Sequence, residues 1–265
     1  MASLRLSEIW IYPIKSLGGI RLHSARVMPK GLQYDRRWML IDENGTFITQ
    51  RIHSNMALFK LSLTDRHFTI KFKDDFIDLP VDAPVLSTPI KATIWDDTVD
   101  VYEVQGNYSE WFSHHLGMKC TLVYFTEESR RPVDEKYKIA DDQVSLADGY
   151  PFLLIGQSSL DDLNSRLESP VPMNRFRPNF VVTGGKPFEE DTWRNFRIGK
   201  NRFVGVKPCG RCTLITVDQE TANKGSEPLT TLSAFRKTNN KINFGQNLIA
   251  IDYYEIQDGD EIELE

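Results

Sequence analysis

Cysteine is scarce in this chain: three in 265 residues, at positions 120, 209 and 212. So low and odd a count excludes a disulfide-stapled secreted scaffold, and no apolar leader opens the sequence. Reduced thiols in a cytoplasmic protein are the expectation. The five histidines (23, 53, 67, 114, 115) lack the spacing of a finger, a ribbon or a zincin helix, and only one Cys-x-x-Cys is present, so a four-ligand structural zinc site is disfavoured. No apolar run approaches the roughly 20 residues that span a bilayer, so no membrane partner is expected. Basic excess is missing too. Lys and Arg total 32 against 37 Asp and Glu, a formal net charge of -5, and they are scattered rather than striped, which offers a nucleic-acid polymer no global field. Internal repeats and low-complexity tracts are absent.

What remains is an ordinary globular composition, 40% hydrophobic and 26% charged, with a mean hydropathy of -0.38. The length suits one large domain or two modest ones. Strand signals dominate: Ile9–Tyr12, Arg37–Ile41 and Thr46–Thr49, the last two flanking an Asn44-Gly45 hairpin signal. A second hairpin is expected from Ala92–Trp95 and Val99–Tyr102 around Asp96-Asp97-Thr98, and a closing one from Tyr253–Ile256 and Glu261–Leu264. Helical spacing appears at Trp111, Phe112 and Leu116, at Leu160, Leu163 and Leu167 behind Ser158-Ser159, and after Pro228 through Leu232 and Phe235. The fold predicted is mostly β (α+β), barrel-like with short covering helices. The polar, charged stretch 126–142 has no apolar periodicity, and a domain division is expected there, giving 1–125 and 126–265.

Chemistry concentrates at Pro208-Cys209-Gly210-Arg211-Cys212. A guanidinium beside a thiol stabilises the thiolate, and glycine lets the backbone come close to a bound group. Metal binding, electron relay and disulfide exchange are all open on these residues alone. The β-branched run after Cys212, Thr213–Val217, predicts a strand, unlike the helix that follows a thioredoxin motif. In an extended segment Arg175 and Arg177 would face one side and Phe176 the other, suiting a phosphate or carboxylate, or else an exposed edge strand with surface ion pairs. Cys120 reads as structural, and the neighbours His114 and His115 point in different directions on their helix.

Taken in order, Tyr12-Pro13-Ile14-Lys15-Ser16, Asp35-Arg36-Arg37-Trp38-Met39, the segment Leu160–Leu167, Asn174-Arg175-Phe176-Arg177-Pro178-Asn179, Cys209-Gly210-Arg211-Cys212 and Phe244-Gly245-Gln246-Asn247 resemble the MOSC family across nearly the whole chain. Within it the pattern is closest to the amidoxime-reducing type, which joins an amino-terminal β domain to the MOSC domain. The resemblance implies a molybdenum cofactor, Mo-molybdopterin, with Cys212 as metal ligand and catalytic residue. It implies cofactor contacts from Lys15, Ser16, Arg36, Gly149, Arg177, Asn179, Gly210, Arg211 and Asn247. A phosphorylated pterin calls for arginine forks and a lysine, and a sulfur-rich metal accepts a thiolate. The implied reaction is reductive removal of oxygen from small N-hydroxylated substrates: amidoximes, hydroxylamines and N-hydroxylated nucleobases. Some relatives append an iron–sulfur domain and others an amino-terminal membrane segment. Neither is seen here, so electrons are expected from a separate flavoprotein, ferredoxin or cytochrome. Cys209 is either a near-site thiol or a small packing residue, and Asp148 either a proton shuttle or a turn carboxylate. The alternatives are a noncatalytic cofactor carrier and a metal-free thiol or sulfur-transfer enzyme.

Overall fold

The computed structural model describes residues 3–265. Its backbone is a nine-stranded sheet running Ile262–Leu264, Asn195–Ile198, Asn201–Arg211, Lys241–Ala250, Phe152–Gly156, Phe180–Thr183, Arg5–Ile11 and Ile20–Leu22, with Lys237–Thr238 added beside Lys241–Ala250. All neighbours are antiparallel except Phe152–Gly156 with Phe180–Thr183. That parallel pair needs a crossover, and the helix Gln157–Asn164 supplies it, burying Leu160 and Leu163. The fold is mostly β, as the strand-rich sequence predicts.

Arg5–Ile11 pairs with Phe180–Thr183 and Ser24–Met28 with Glu255–Gln257, so amino- and carboxy-terminal segments share sheets. A four-stranded sheet (Trp38–Ile41, Thr121–Tyr124, Asp97–Glu103, Ile90–Ile94) and a three-stranded meander (Phe59–Leu63, His67–Phe72, Asp75–Pro80) complete the amino-terminal part. Trp38–Ile41 is buried at all four positions, consistent with its unbroken apolar run. The main core joins Ile9, Trp38, Phe59 and Phe112 to Phe152, Phe180 and Phe203. Fully burying such an aromatic contributes about 1.5–3 kcal/mol.

Several local expectations give way to tertiary pairing. Asn44-Gly45 does turn the chain as expected, with Asp42 N donating to Thr46 O (2.9 Å), Ile48 N to Leu40 O (2.8 Å) and Ile41 bridging Phe47, but Thr46 also bridges Thr93 of a distant strand. The helix Gln157–Asn164 stops before Leu167, and Ser159 lies inside it, its hydroxyl donating to the buried Glu190. No closing hairpin forms, because Glu255–Gln257 and Ile262–Leu264 join different sheets. Thr213–Thr216 is a 3-10 turn whose buried face holds Ile215 and Thr216, not a strand. Among the described residues no helix is long and apolar enough to cross a membrane.

Candidate functional site

A cleft of about 520 Å³ opens beside the end of strand Asn201–Arg211. Its lining includes all ten residues nominated from the sequence: Lys15, Ser16, Arg36, Gly149, Arg177, Asn179, Gly210, Arg211, Cys212 and Asn247. They come from segments up to 232 positions apart, between Lys15 and Asn247. Seven cationic side chains line the cleft, Lys15, Arg36, Arg51, Arg177, Lys207, Arg211 and Lys241, against one carboxylate, Asp148. In a protein with a net negative charge this is a local positive field suited to an anion.

Cys212 is exposed at the cleft and Cys209 is partly buried in its wall. Two thiols three apart on a regular strand point to opposite faces. Here the register slips between Pro208 and Gly210 and the strand ends at Arg211, so both reach the same cleft. Burial pushes the Cys209 thiol up, opposed by Arg211 and reinforced by Asp148 and Cys212.

The guanidinium beside Cys212 is not that of its sequence neighbour. Arg211 turns away, its Nε donating to Phe244 O (2.8 Å) and one Nη to Phe176 O (2.9 Å). Its other nitrogen, Nη2, is buried without a partner. Instead Arg51 Nη1 donates to Cys212 Sγ at 3.4 Å. The loop carrying Arg51 is clamped across the chain: Gln50 Nε2 donates to Ser16 O (2.7 Å), and Lys224 Nζ donates to Arg51 O (2.9 Å).

Arg175 and Arg177 also part company, because the segment is a 3-10 turn followed by a left-handed residue rather than extended chain. Arg175 pairs with Asp218 at 2.6 Å, outside the cleft. Arg177 is buried, donates to Leu17 O (2.7 Å) and lies 4.2 Å from the Tyr12 ring centroid. Burial lowers its pKa to about 10, so it stays cationic at neutral pH. Arg36 sits at the same distance from that ring and is held by the buried Asp35, at 2.7 Å. Burial pushes the Tyr12 phenol up to about 12, keeping it neutral. Ser16, Arg36 and Arg177 all have positive φ (67°, 50°, 56°), and such non-glycine strain gathers at sites where the surroundings hold it.

Lys15 Nζ donates to Leu146 O and to Asp148 Oδ1, both at 2.7 Å. Burial lowers Lys15 to about 8 despite that partner. Crowding alone would raise Asp148, but Lys15 and Arg51 outweigh it and hold its carboxyl well below the usual range. Asp148 is thus a charged anchor, and 60% of its side chain is exposed.

Asn179 Oδ1 accepts from Leu153 N (3.2 Å) and its Nδ2 donates to Trp10 O (3.1 Å), so this amide braces the cleft floor. Asn247 lies on Lys241–Ala250, opposite Leu153 and Lys207. A Cβ on Gly149 would meet nothing within 4 Å, and one on Gly210 only Lys241, at 3.7 Å. The protein itself does not require glycine at either position. Arg51, Lys207 and Lys241 escaped the sequence reading, since each stands outside any charged cluster. Arg51's position after Thr49-Gln50, in an otherwise unremarked loop, carries no local signal. Among the described residues no group of three or more His, Cys, Asp or Glu is placed to hold a metal.

Residues 3–119 match the MOSC N-terminal beta barrel domain, and residues 141–263 match the MOSC domain. The Mus musculus "Mitochondrial amidoxime-reducing component 1" is 34% identical over 242 residues, covering 87% of this chain and 71% of that protein. Its Homo sapiens counterpart is 32% identical over 245 residues, covering 88% and 72%. A "Molybdenum cofactor sulfurase" of Oryza sativa subsp. japonica is 32% identical over 286 residues, covering 98% of this chain but 34% of its own length. The chain therefore spans about a third of that relative.

Proposed function

This chain belongs to the MOSC family, and we propose that it is a molybdenum-cofactor-dependent reductase that removes oxygen from N-hydroxylated small molecules. The observation that carries the proposal is an exposed thiol, Cys212, at a cleft ringed by seven cations. With one exposed thiol and, among the described residues, no group of three or more His, Cys, Asp or Glu, a metal there needs most of its ligands from an organic carrier, and the cations suit a carrier that bears a phosphate. The buried, unpartnered Nη2 of Arg211 is a donor in want of an acceptor. Open space at Gly149 and Gly210 leaves a cradle that side chains would fill. The residues fit the group.

In this reading Lys15, Arg36, Arg177 and Arg211 hold the phosphate and pterin, with Ser16, Gly149, Gly210 and Asn247 lining the cradle and Asn179 bracing it. Cys212 ligates the metal through Sγ, and Arg51 holds that sulfur in place. When bound, the cofactor would supply the oxygen-accepting redox chemistry that an N–O bond requires, with electrons drawn from outside. Overall, each N–OH reduced consumes two electrons and two protons and releases the N–H compound and water. Lys15 Nζ, cationic below about pH 8, keeps a proton at the cleft wall. Electrons come from a separate donor protein. We place the enzyme in the cytoplasm, where three free thiols persist. We assign 1–125 as the amino-terminal β domain and 126–265 as the cofactor domain.

The test is protein made in cofactor-competent cells, assayed for molybdenum and for benzamidoxime reduction with an artificial reductant. Near one molybdenum per chain with turnover is expected. Molybdenum without turnover on any N-hydroxylated compound would point to a carrier, and its absence to a thiol enzyme.

A further inference from the structure

We infer that Arg51, backed by the indole of Trp95, is a stacking platform that selects planar, conjugated N-hydroxylated substrates over aliphatic ones. The inference rests on the function proposed above and names the substrate class that the site favours.

Trp95 stands in the two-residue turn between strands Ile90–Ile94 and Asp97–Glu103. Its φ is +56°, a left-handed conformation that a bulky residue adopts only when its surroundings compensate. Those surroundings are visible. The ring packs edge-on against Phe47, with centroids 5.1 Å apart, and its Nε1 donates to Asp148 Oδ1 at 3.3 Å.

Arg51 lies flat enough on this ring for its guanidinium carbon to sit 3.9 Å from the ring centroid. Arg51 lines the cleft whereas Trp95 and Phe47, whose ring centroid lies 5.8 Å from the same guanidinium carbon, do not, so the aromatic pair backs the guanidinium and we take its other face as the one turned to the cleft. Two further contacts hold the fork: Nη1 donates to Cys212 Sγ (3.4 Å) and lies 3.9 Å from Asp148 Oδ2. Among the described residues Cys212 Sγ is the guanidinium's only hydrogen-bond acceptor, so its other N–H groups remain available to an N-hydroxyl oxygen.

A planar amidoxime, or an N-hydroxylated base, can lie on this guanidinium face with its N–O bond near the Cys212 sulfur. A puckered aliphatic hydroxylamine cannot use the plane. Lysine would supply the same charge without a face, so the requirement for Arg is itself the test.

The loaded enzyme, with an artificial reductant, is compared as wild type, R51K and W95A on benzamidoxime and on N-cyclohexylhydroxylamine. Calorimetry on the oxidised, loaded protein without reductant gives the benzamidoxime dissociation constant. Both variants should lower the benzamidoxime-to-aliphatic ratio of kcat/KM about tenfold, and weaken benzamidoxime binding to match. W95F, which keeps a ring, should recover part of the ratio. An equal loss on both substrates would mean that Arg51 acts only through the sulfur, and would overturn the platform. So would an unchanged ratio with unchanged binding. Wild type that contains molybdenum but reduces neither compound overturns the proposed function instead, and the binding measurement then still decides the platform.

Discussion

Arg51 Nη1 and Cys212 Sγ lie 3.4 Å apart although 161 positions separate them in the chain. The contact brings a loop of the amino-terminal part onto the thiol of the carboxy-terminal part, so the chemistry at that sulfur depends on both.

Replacing Cys212 by Ser removes the proposed soft ligand but little packing, because the side chain is exposed. Thermal stability should change by less than about 0.5 kcal/mol, while bound molybdenum and reductase activity are lost. Elemental analysis beside a melting curve checks both halves, and a Ser variant that retains full molybdenum would sink the ligand assignment.

Arg177 contributes a buried cation to the cleft. Arg177→Ala should cut cofactor occupancy severalfold, and Arg177→Lys should restore only part of it, since charge returns without the fork. Full occupancy in the Ala variant, read by metal content and pterin fluorescence, contradicts the anion-holding role.

Two glycines separate folding from binding. A Cβ on Gly205 would sit 2.1 Å from Trp193 O, so Gly205→Ala should destabilise by about 2–4 kcal/mol. At Gly149 nothing lies within 4 Å, and Gly149→Ala should leave the melting temperature alone while lowering cofactor occupancy. If Gly149→Ala loads as well as wild type, the cradle is wrongly drawn.

Asp218 ties the loop after Cys212 to Arg175. Partial burial works against its ionisation, but the N–H and O–H donors of Thr221, the N–H of Glu220 and the Arg175 guanidinium outweigh it, lowering its pKa to about 2. A depressed carboxylate stabilises the fold above its ordinary value of 3.8, and that contribution disappears as pH falls toward 2. Asp218→Asn should therefore cost about 1 kcal/mol at pH 7 after allowance for solvent screening, and much less near pH 2.5. Denaturant titrations of both proteins across that range provide the check; a difference that stays constant would exclude this linkage.

Much of this protein is legible locally. The strand-rich composition predicts the mostly β fold, and the hairpin at Ile90–Glu103 follows from its alternation and turn residues, although the turn falls at Trp95-Asp96, one place earlier than expected. All ten nominated residues gather in one cleft because motif order preserves which segments supply them. Other readings failed where a residue's partner lies far along the chain. Thr213–Thr216 has β-branched side chains, yet Ile215 and Thr216 are buried in a 3-10 turn, so packing overrides propensity. Arg211 is next to Cys212 in sequence, but carbonyls of Phe176 and Phe244 capture its guanidinium.

Sequence by itself determined the kinds of group available: a scarce thiol pair, segments rich in arginine and lysine, and alternating apolar runs able to form sheets. Only tertiary structure decided which guanidinium meets the sulfur, that Arg175 leaves the site while Arg177 stays, and that a register slip turns Cys209 and Cys212 into one cleft. The reason is physical. Strand pairing and side-chain facing depend on contacts between distant segments, and one residue of slip reverses a side chain's direction. No local pattern around Thr49-Gln50-Arg51 encodes a neighbour that lies 161 positions away.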